Sequence, residues 1–394
     1  YVLDEYPKDL IERAVHWLSG MVTALAPEGP ARRLVTEGIL AGVGGVVVFL
    51  PNILILFMGV SLMEDTGYMA RAAFIMDKIM HKLGIHGKSF IPLIMGFGCN
   101  VPAIMASRTL ENRRDRIITV LINPFMSCSA RLPVYVLFAG VFFAQHAGLV
   151  ILSLYLAGVL LAFISSKVLK LLFFKGESSP FVMELPPYRM PSARSILFHM
   201  WNRSSQYLKK MGGLILIFSV IIWVLGEYPR SAAMEERHAR EVAAFEAGQG
   251  PEAERAALER SHQKDRLSHA AIGKFGNVLA PVFEPLGFNW QMGVSLVTGI
   301  VAKEVVISSM GVLYAADSSG LENALRRPEY RITPLAAYVY MLFVLLYIPC
   351  IATIVVIGRE IGWRWAAFSV LYNVTITWLI CFAVYRGGMA LGLA

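Results

Sequence analysis

The chain has 394 residues, 56% hydrophobic and 16% charged, with a mean hydropathy of +0.57. This excludes an ordinary soluble domain and reads as a polytopic membrane protein. The excess of 36 Lys and Arg over 28 Asp and Glu, a formal charge of +8, then reports cytoplasmic loops rather than a nucleic-acid surface.

The first residue is Tyr1 and no cleavable signal pattern follows, so a soluble domain is expected upstream. Residues 1–37 are amphipathic around His16, Trp17, Leu18 and Leu25 and are expected to form an interfacial or linker helix. Residues 38–175 make a first membrane half, with spans expected at Gly38–Met63, Ser89–Ser107, Ile117–Ala144 and Gly148–Ser166. Residues 176–210, with Pro180, Pro186, Pro187 and Pro191, read as a cytoplasmic connector, and a further span is expected within 211–227. Residues 228–270, rich in Ala, Glu and Arg and broken at Gly248-Gln249-Gly250-Pro251, read as a solvated helical hairpin on the extracytoplasmic side. Residues 271–394 form a second half, with spans at Met292–Tyr314, Leu335–Gly358 and Trp365–Tyr385. The fold class is an all-α polytopic membrane protein with about eight, at most about ten, transmembrane segments. Counting places Glu64–Lys88 outside, although Arg71, Lys78, Lys82 and Lys88 belong inside by the positive-inside rule, so that stretch is embedded or a span is miscounted.

An internal echo links the halves. Met58–Leu62 and Met292–Leu296 share MGVSL, and Thr-Gly-x-x-Ala followed by a base recurs at Thr66–Arg71 and Thr298–Lys303. Each copy is followed by a cysteine near a proline, Cys99 with Pro102 and Cys350 with Pro349. Such self-similarity is the mark of transporters built from repeats, which place substrate at broken helices. Span counting sets the two cysteine segments in opposite directions, as in an inverted pair.

In GFGCNVPAIMASRT, Gly96–Thr109, Gly96, Gly98 and Pro102 weaken or break a helix where a bilayer segment is expected. The freed carbonyls are tolerable only if they line a cavity or hold a ligand. Cys99 and the Asn100 amide at that break suit a borderline-soft divalent cation such as Fe(II); a plain proline kink with a buried cysteine is the competing account. Tyr347–Thr353, YIPCIAT, repeats the design, with Pro349 as breaker, Cys350 as thiol and Thr353 able to bond back to the opened helix. Asn123–Pro133, NPFMSCSARLP, is a third interrupted stretch, in which Cys128 is a further ligand or a packing residue and Arg131 needs a carboxylate or carbonyls. Cys381, with no breaker nearby, reads as structural. Lys303 and Glu304 fall mid-segment and are expected to pair with other segments, with Glu64, Asp65 and Arg71 as partners; such groups serve helix pairing or draw in a cation. The eight histidines lie in loops or at span ends, no His-Glu-x-x-His motif occurs, and Gly84–Ser89 has the wrong spacing for a P-loop.

Gly96–Thr109, Asn123–Tyr135, Thr298–Val306 and Tyr347–Thr353 resemble the membrane region of the bacterial ferrous iron transport protein B (FeoB) family, and the resemblance runs from about Tyr6 to the last span. It implies an inner-membrane Fe(II) transporter with two gate regions, around Cys99 and Cys350. It also implies an N-terminal domain, absent from this chain, that binds GTP with Mg2+, so the chain itself is expected not to be an enzyme. Membrane lipid, that G domain and small FeoA/FeoC-type accessory proteins are the implied partners, a homo-oligomer is compatible with it, and nucleic acid is not. A carrier for another divalent metal or for an organic solute such as a nucleoside is the alternative.

Overall fold

The computed structural model describes residues 2–25, 34–40, 50–173 apart from 83 and 84, and 281–392 apart from 304, 315–319 and 331, with scattered positions elsewhere. Glu304, the insertion at 228–270 but for Arg240, most of the 176–210 connector and most of 211–227 lie outside the described residues. Regular structure among the described residues is helical only.

The first helices are α1 (Val2–Leu25), α2 (Leu50–Asp65) and α3 (Tyr68–Lys82). Gly67 turns the chain between α2 and α3 with φ of 76°, a conformation that costs glycine little. The expected span Ser89–Ser107 is instead two short helices, α4 (Phe90–Gly96) and α5 (Asn100–Ala106), packed against each other. Seven residues rise only about 10 Å, against about 30 Å of hydrocarbon. The segment therefore enters and doubles back. Pro102 does not cause this break: it sits in the first turn of α5, where its missing N–H is not needed.

The next span is interrupted, α6 (Arg113–Ile122) giving way to an irregular stretch before α7 (Leu132–Phe142), and a long uninterrupted helix follows, α8 (Ala147–Phe173). The same order then returns. Helices α9 (Trp290–Thr298) and α10 (Val305–Leu313) form a second hairpin, closed at its base by Tyr314 Oη donating to Asn289 Oδ1 at 2.8 Å and bridged by Thr298 and Ser309 hydroxyls at 2.9 Å. After α11 (Gly320–Leu325) comes a second interrupted span, α12 (Pro334–Leu346) and α13 (Ile351–Ile361), and then the long α14 (Trp363–Ala390). The expected single span Met292–Tyr314 is thus a hairpin, with Lys303 in its tip.

Four stretches among the described residues are long and apolar enough to cross a membrane: Arg113–Phe142, Ala147–Phe173, Pro334–Ile361 and Trp363–Ala390. Their burial differs as their backbones require. The most apolar window of Pro334–Ile361 is 72% buried and that of the unbroken α8 only 17%. Leu149, Leu152, Leu156, Leu160 and Ile164 give α8 an exposed stripe at three- and four-residue spacing, suited to lipid. An interrupted backbone has to be enclosed by protein, because hydrocarbon offers it no partners.

The chain divides into two compact units, one of Tyr1–Ser129, Ala157–Val220 and Ile351–Val370, the other of Ala130–Leu156, Ile221–Cys350 and Leu371–Ala394. The chain passes from one to the other five times, and two of these passages fall at the interruptions, after Ser129 and after Cys350. Compact units and consecutive halves therefore do not coincide.

Candidate functional site

In the first unit the tip of the α4–α5 hairpin is Phe97-Gly98-Cys99. Cys99 is extended (φ −152°, ψ 128°), half-buried, and stands at the N-cap of α5 without a side-chain capping bond. Gly98 leaves its carbonyl without a helical partner, and Ser129 takes it up: its N–H donates at 3.1 Å and its Oγ at 3.0 Å. Asn100 and Asn123 are buried beside this tip, and Asn123 Nδ2 donates to the Pro92 carbonyl of α4 at 3.0 Å. The absence of a side chain at Gly96 permits the approach, since a Cβ there would lie 2.6 Å from Asn123 Oδ1 and 3.0 Å from Met126 Cβ.

Helix α13, which follows the second interruption, packs against α5 in this same unit. Past the end of α5, Arg108 Nε lies 2.9 and 2.8 Å from the two carboxylate oxygens of Glu360, near the end of α13, and Nη2 makes a further bond to it. Side-by-side packing with joined C-terminal ends means that α5 and α13 run the same way. Counting spans gave the opposite answer because the hairpin reverses direction where a crossing was assumed. Thr353 is buried in the first turn of α13. A cavity of about 520 Å³ in the unit is lined by Met69, Met95, Val101 and Pro102, with Glu64 and Arg108 among its polar groups. Asp65 accepts a bond from Ser195 Oγ at 3.4 Å, while Arg71 donates to the Gly67 carbonyl at 3.1 Å and its guanidinium lies 3.5 Å from the centre of the Tyr188 ring.

In the second unit the tip of the α9–α10 hairpin carries Lys303, whose side chain is buried. Its Nζ donates to the Ile348 carbonyl at 2.7 Å and lies 3.2 Å from the centre of the Tyr347 ring. Ile348 belongs to the unwound stretch Tyr347–Cys350 between α12 and α13, which contains Pro349. Tyr347 Oη in turn donates to the Leu296 carbonyl of α9 at 3.2 Å, and Gly299 leaves room for that ring, since a Cβ there would lie 2.6 Å from Oη. Cys350 is half-buried and Arg131 is fully buried at the start of α7. Cys381 is buried and its thiol points to the Val339 carbonyl at 3.8 Å.

The predicted residues therefore fall into two clusters: Gly96, Gly98, Cys99, Asn100 and Pro102 at one tip, Lys303, Pro349 and Cys350 around the other. Cys128 lies half-buried in the first interruption. Among the described residues no three His, Cys, Asp or Glu side chains converge to hold a metal ion. Sequence reasoning missed Asn123, Ser129, Tyr347 and the Arg108–Glu360 pair. For Asn123 a signal existed: a polar residue before proline inside an apolar run.

Hairpin tips seated against interrupted membrane helices define an integral, multi-pass membrane protein. The Gate family, described as "Nucleoside recognition", matches residues 46–142 and 208–364, and "Ferrous iron transport protein B C terminus" matches residues 151–203. The chain belongs to the Gate family and, within it, is a FeoB-family membrane domain. It is 51% identical to an Fe(2+) transport protein A/Fe(2+) transporter FeoB fusion protein of Porphyromonas gingivalis, covering 99% of this chain and 48% of that protein. It is 40% identical to the Fe(2+) transporter FeoB of Methanocaldococcus jannaschii (95% and 52% covered) and 43% identical to that of Staphylococcus aureus (90% and 49% covered). The chain spans about half the length of these curated relatives. No solved structure matches it.

Proposed function

We propose that the chain is the permease part of a ferrous iron uptake system in the bacterial inner membrane, with Fe2+ as cargo. The observation that carries this reading is that relatives named Fe(2+) transporters align over 90–99% of the chain, through both interrupted spans and both hairpin tips. On this reading the chain conducts and does not catalyse; GTP and Mg2+ belong to a G domain elsewhere in the whole protein. The fusion relative supports a FeoA-type protein as a partner. Cys99, at the first hairpin tip, and Cys350, at the second interruption, supply soft ligands, with Asn100 and Cys128 as further contributors. An ion that must be released again suits two or three soft ligands better than a closed cage. Glu64 and Asp65 serve as approach charges.

The Gate description favours a second reading, a nucleoside carrier. Uptake of radiolabelled Fe2+ by cells carrying the full-length protein, with Cys99→Ser, Cys350→Ser or both, separates the two. Iron uptake that excess nucleoside leaves unchanged, and that falls at least tenfold in the double variant, supports the proposal. Undiminished uptake at normal expression removes the thiol mechanism, and a full-length protein that raises nucleoside uptake but not iron uptake removes iron as cargo.

A further inference from the structure

Two enclosed oxygens at the first hairpin tip have no donor. Asn100 and Asn123 are 5% and 0% exposed, and neither Oδ1 has a hydrogen-bond partner among the described residues. Both face the same place. The position that a Cβ would take on Gly96 is 2.6 Å from Asn123 Oδ1 and 3.4 Å from Asn100 Oδ1, so the oxygens are at most 6.0 Å apart, the sum of those distances. The Asn123 amide is not free to turn its nitrogen inward, because Nδ2 is engaged by the Pro92 carbonyl at 3.0 Å. Buried acceptors left unpaired are costly, and two that face each other also repel; a donor or a cation between them removes both penalties.

The second tip shows what such a position takes. There, again where a hairpin tip meets an unwound span, the occupant is a cation that belongs to the chain: the Lys303 ammonium, on the Ile348 carbonyl and over the Tyr347 ring.

We infer that Asn100 and Asn123 form an amide-oxygen site for a divalent cation in the first unit, beside Gly96, whereas the corresponding position in the second unit is taken by Lys303. The two gates are then not equivalent: one offers neutral oxygens to the cargo and the other holds a tethered positive charge. Neutral amide oxygens bind a divalent ion less tightly than carboxylates, as conduction requires. This inference rests on the reading of the cargo as Fe2+. The alternative occupant is a bridging water.

The test is equilibrium binding of radiolabelled Fe2+ to the purified full-length protein under anaerobic conditions, comparing wild type, Asn100→Asp and Asn123→Leu, each checked for a monodisperse, cooperatively melting sample. Asn100→Asp places a full negative charge at the same position and is expected to tighten binding at least tenfold. Asn123→Leu is expected to weaken it at least tenfold. Should both stay within twofold of a wild type that binds iron, the oxygens hold water only and the site is wrong, while iron as cargo stands. Wild type without saturable iron binding overturns the iron reading and the site together. If Asn123→Leu does not fold, Asn100→Asp decides alone, and a failure to tighten overturns the proposal.

Discussion

Replacing Gly96 by alanine tests the packing on which the first tip depends. The added methyl would stand 2.6 Å from Asn123 Oδ1, 3.0 Å from Met126 Cβ and 3.4 Å from Asn100 Oδ1. Neither of the two nearest atoms yields easily: Asn123 is held through Nδ2 by the Pro92 carbonyl, and Met126 Cβ is tied to the backbone. Overpacking of this kind costs about 1–3 kcal/mol, and alanine returns at most about 1 kcal/mol of helix propensity. With that return subtracted, the net expectation is a loss of up to about 2 kcal/mol. Gly59, in the middle of α2, has nothing within 4 Å of its would-be Cβ and supplies the control. Gly59→Ala is expected to gain about 0.5–1 kcal/mol. Thermal unfolding of the two variants in detergent should therefore move in opposite directions from wild type. A Gly96→Ala protein that melts with or above Gly59→Ala refutes the close approach of Asn123 and Met126 to this helix.

The Arg108–Glu360 pair joins an arginine side chain 58% exposed to a carboxylate 6% exposed, so its two ends are unequal. Arg108→Gln leaves a nearly buried carboxylate short of its donor and is expected to cost about 2 kcal/mol, most of which Arg108→Gln with Glu360→Gln should restore in a double-mutant cycle; a cycle without coupling rejects the pair as a tie between α5 and α13. Outside the spans, burial lowers the His86 pKa from 6.5, against the opposing fields of Asp115, Asp77 and Glu111 and with that of Lys88, and its Nδ1 accepts from the Lys88 N–H at 3.1 Å. Because the folded pKa lies below the unfolded one, the neutral ring's contribution is intact above pH 6.5 and is lost as pH falls from there through the lowered folded value. Hydrogen exchange at residues 85–89 should then speed up on acidification, and a His86→Gln variant should lose that dependence; equal pH profiles dismiss the assignment.

The membrane class and the interruption at Gly98 were legible because composition and helix breakers act locally. The hairpins were not, because hydropathy measures the length of an apolar run and is blind to a chain that turns back within it. Met292–Tyr314 hid its turn well: Gly299 and Ile300-Val301-Ala302 keep the run apolar, and only Thr-Gly before and Lys-Glu after mark a tip. The internal echo found at Met58–Leu62 and Met292–Leu296 places α2 against α9, elements with different roles; the repeat visible in the structure is one of element order, hairpin, interrupted span and long helix. The pairing of α5 with α13 joins residues some 250 positions apart, Arg108 with Glu360. No local pattern announces such a contact. Asn123 and Ser129 were visible as polar residues in an apolar stretch, but their partners, Pro92 and Gly98, are defined only once the hairpin has closed.

The chemistry of the two tips explains why a lysine survives in an apolar segment. Enclosing an ammonium group costs several kcal/mol, while a backbone carbonyl released by unwinding is itself an unpaired acceptor that costs about 1–3 kcal/mol. At the second tip each defect answers the other: unwinding at Tyr347–Cys350 presents the Ile348 carbonyl and turns the Tyr347 ring toward the tip, and Lys303 fills both. At the first tip the released Gly98 carbonyl is met by the neutral Ser129, through its N–H and Oγ. A bond from a charged donor contributes about 1.5–3 kcal/mol against about 0.5–1.5 for a neutral one, and the ring adds about 0.5–2. The tips are thus held by unequal contacts, and the inequality comes from residue type alone: serine closes one interruption and leaves the Asn100 and Asn123 oxygens unpaired beside it, whereas lysine closes the other with a positive charge of its own.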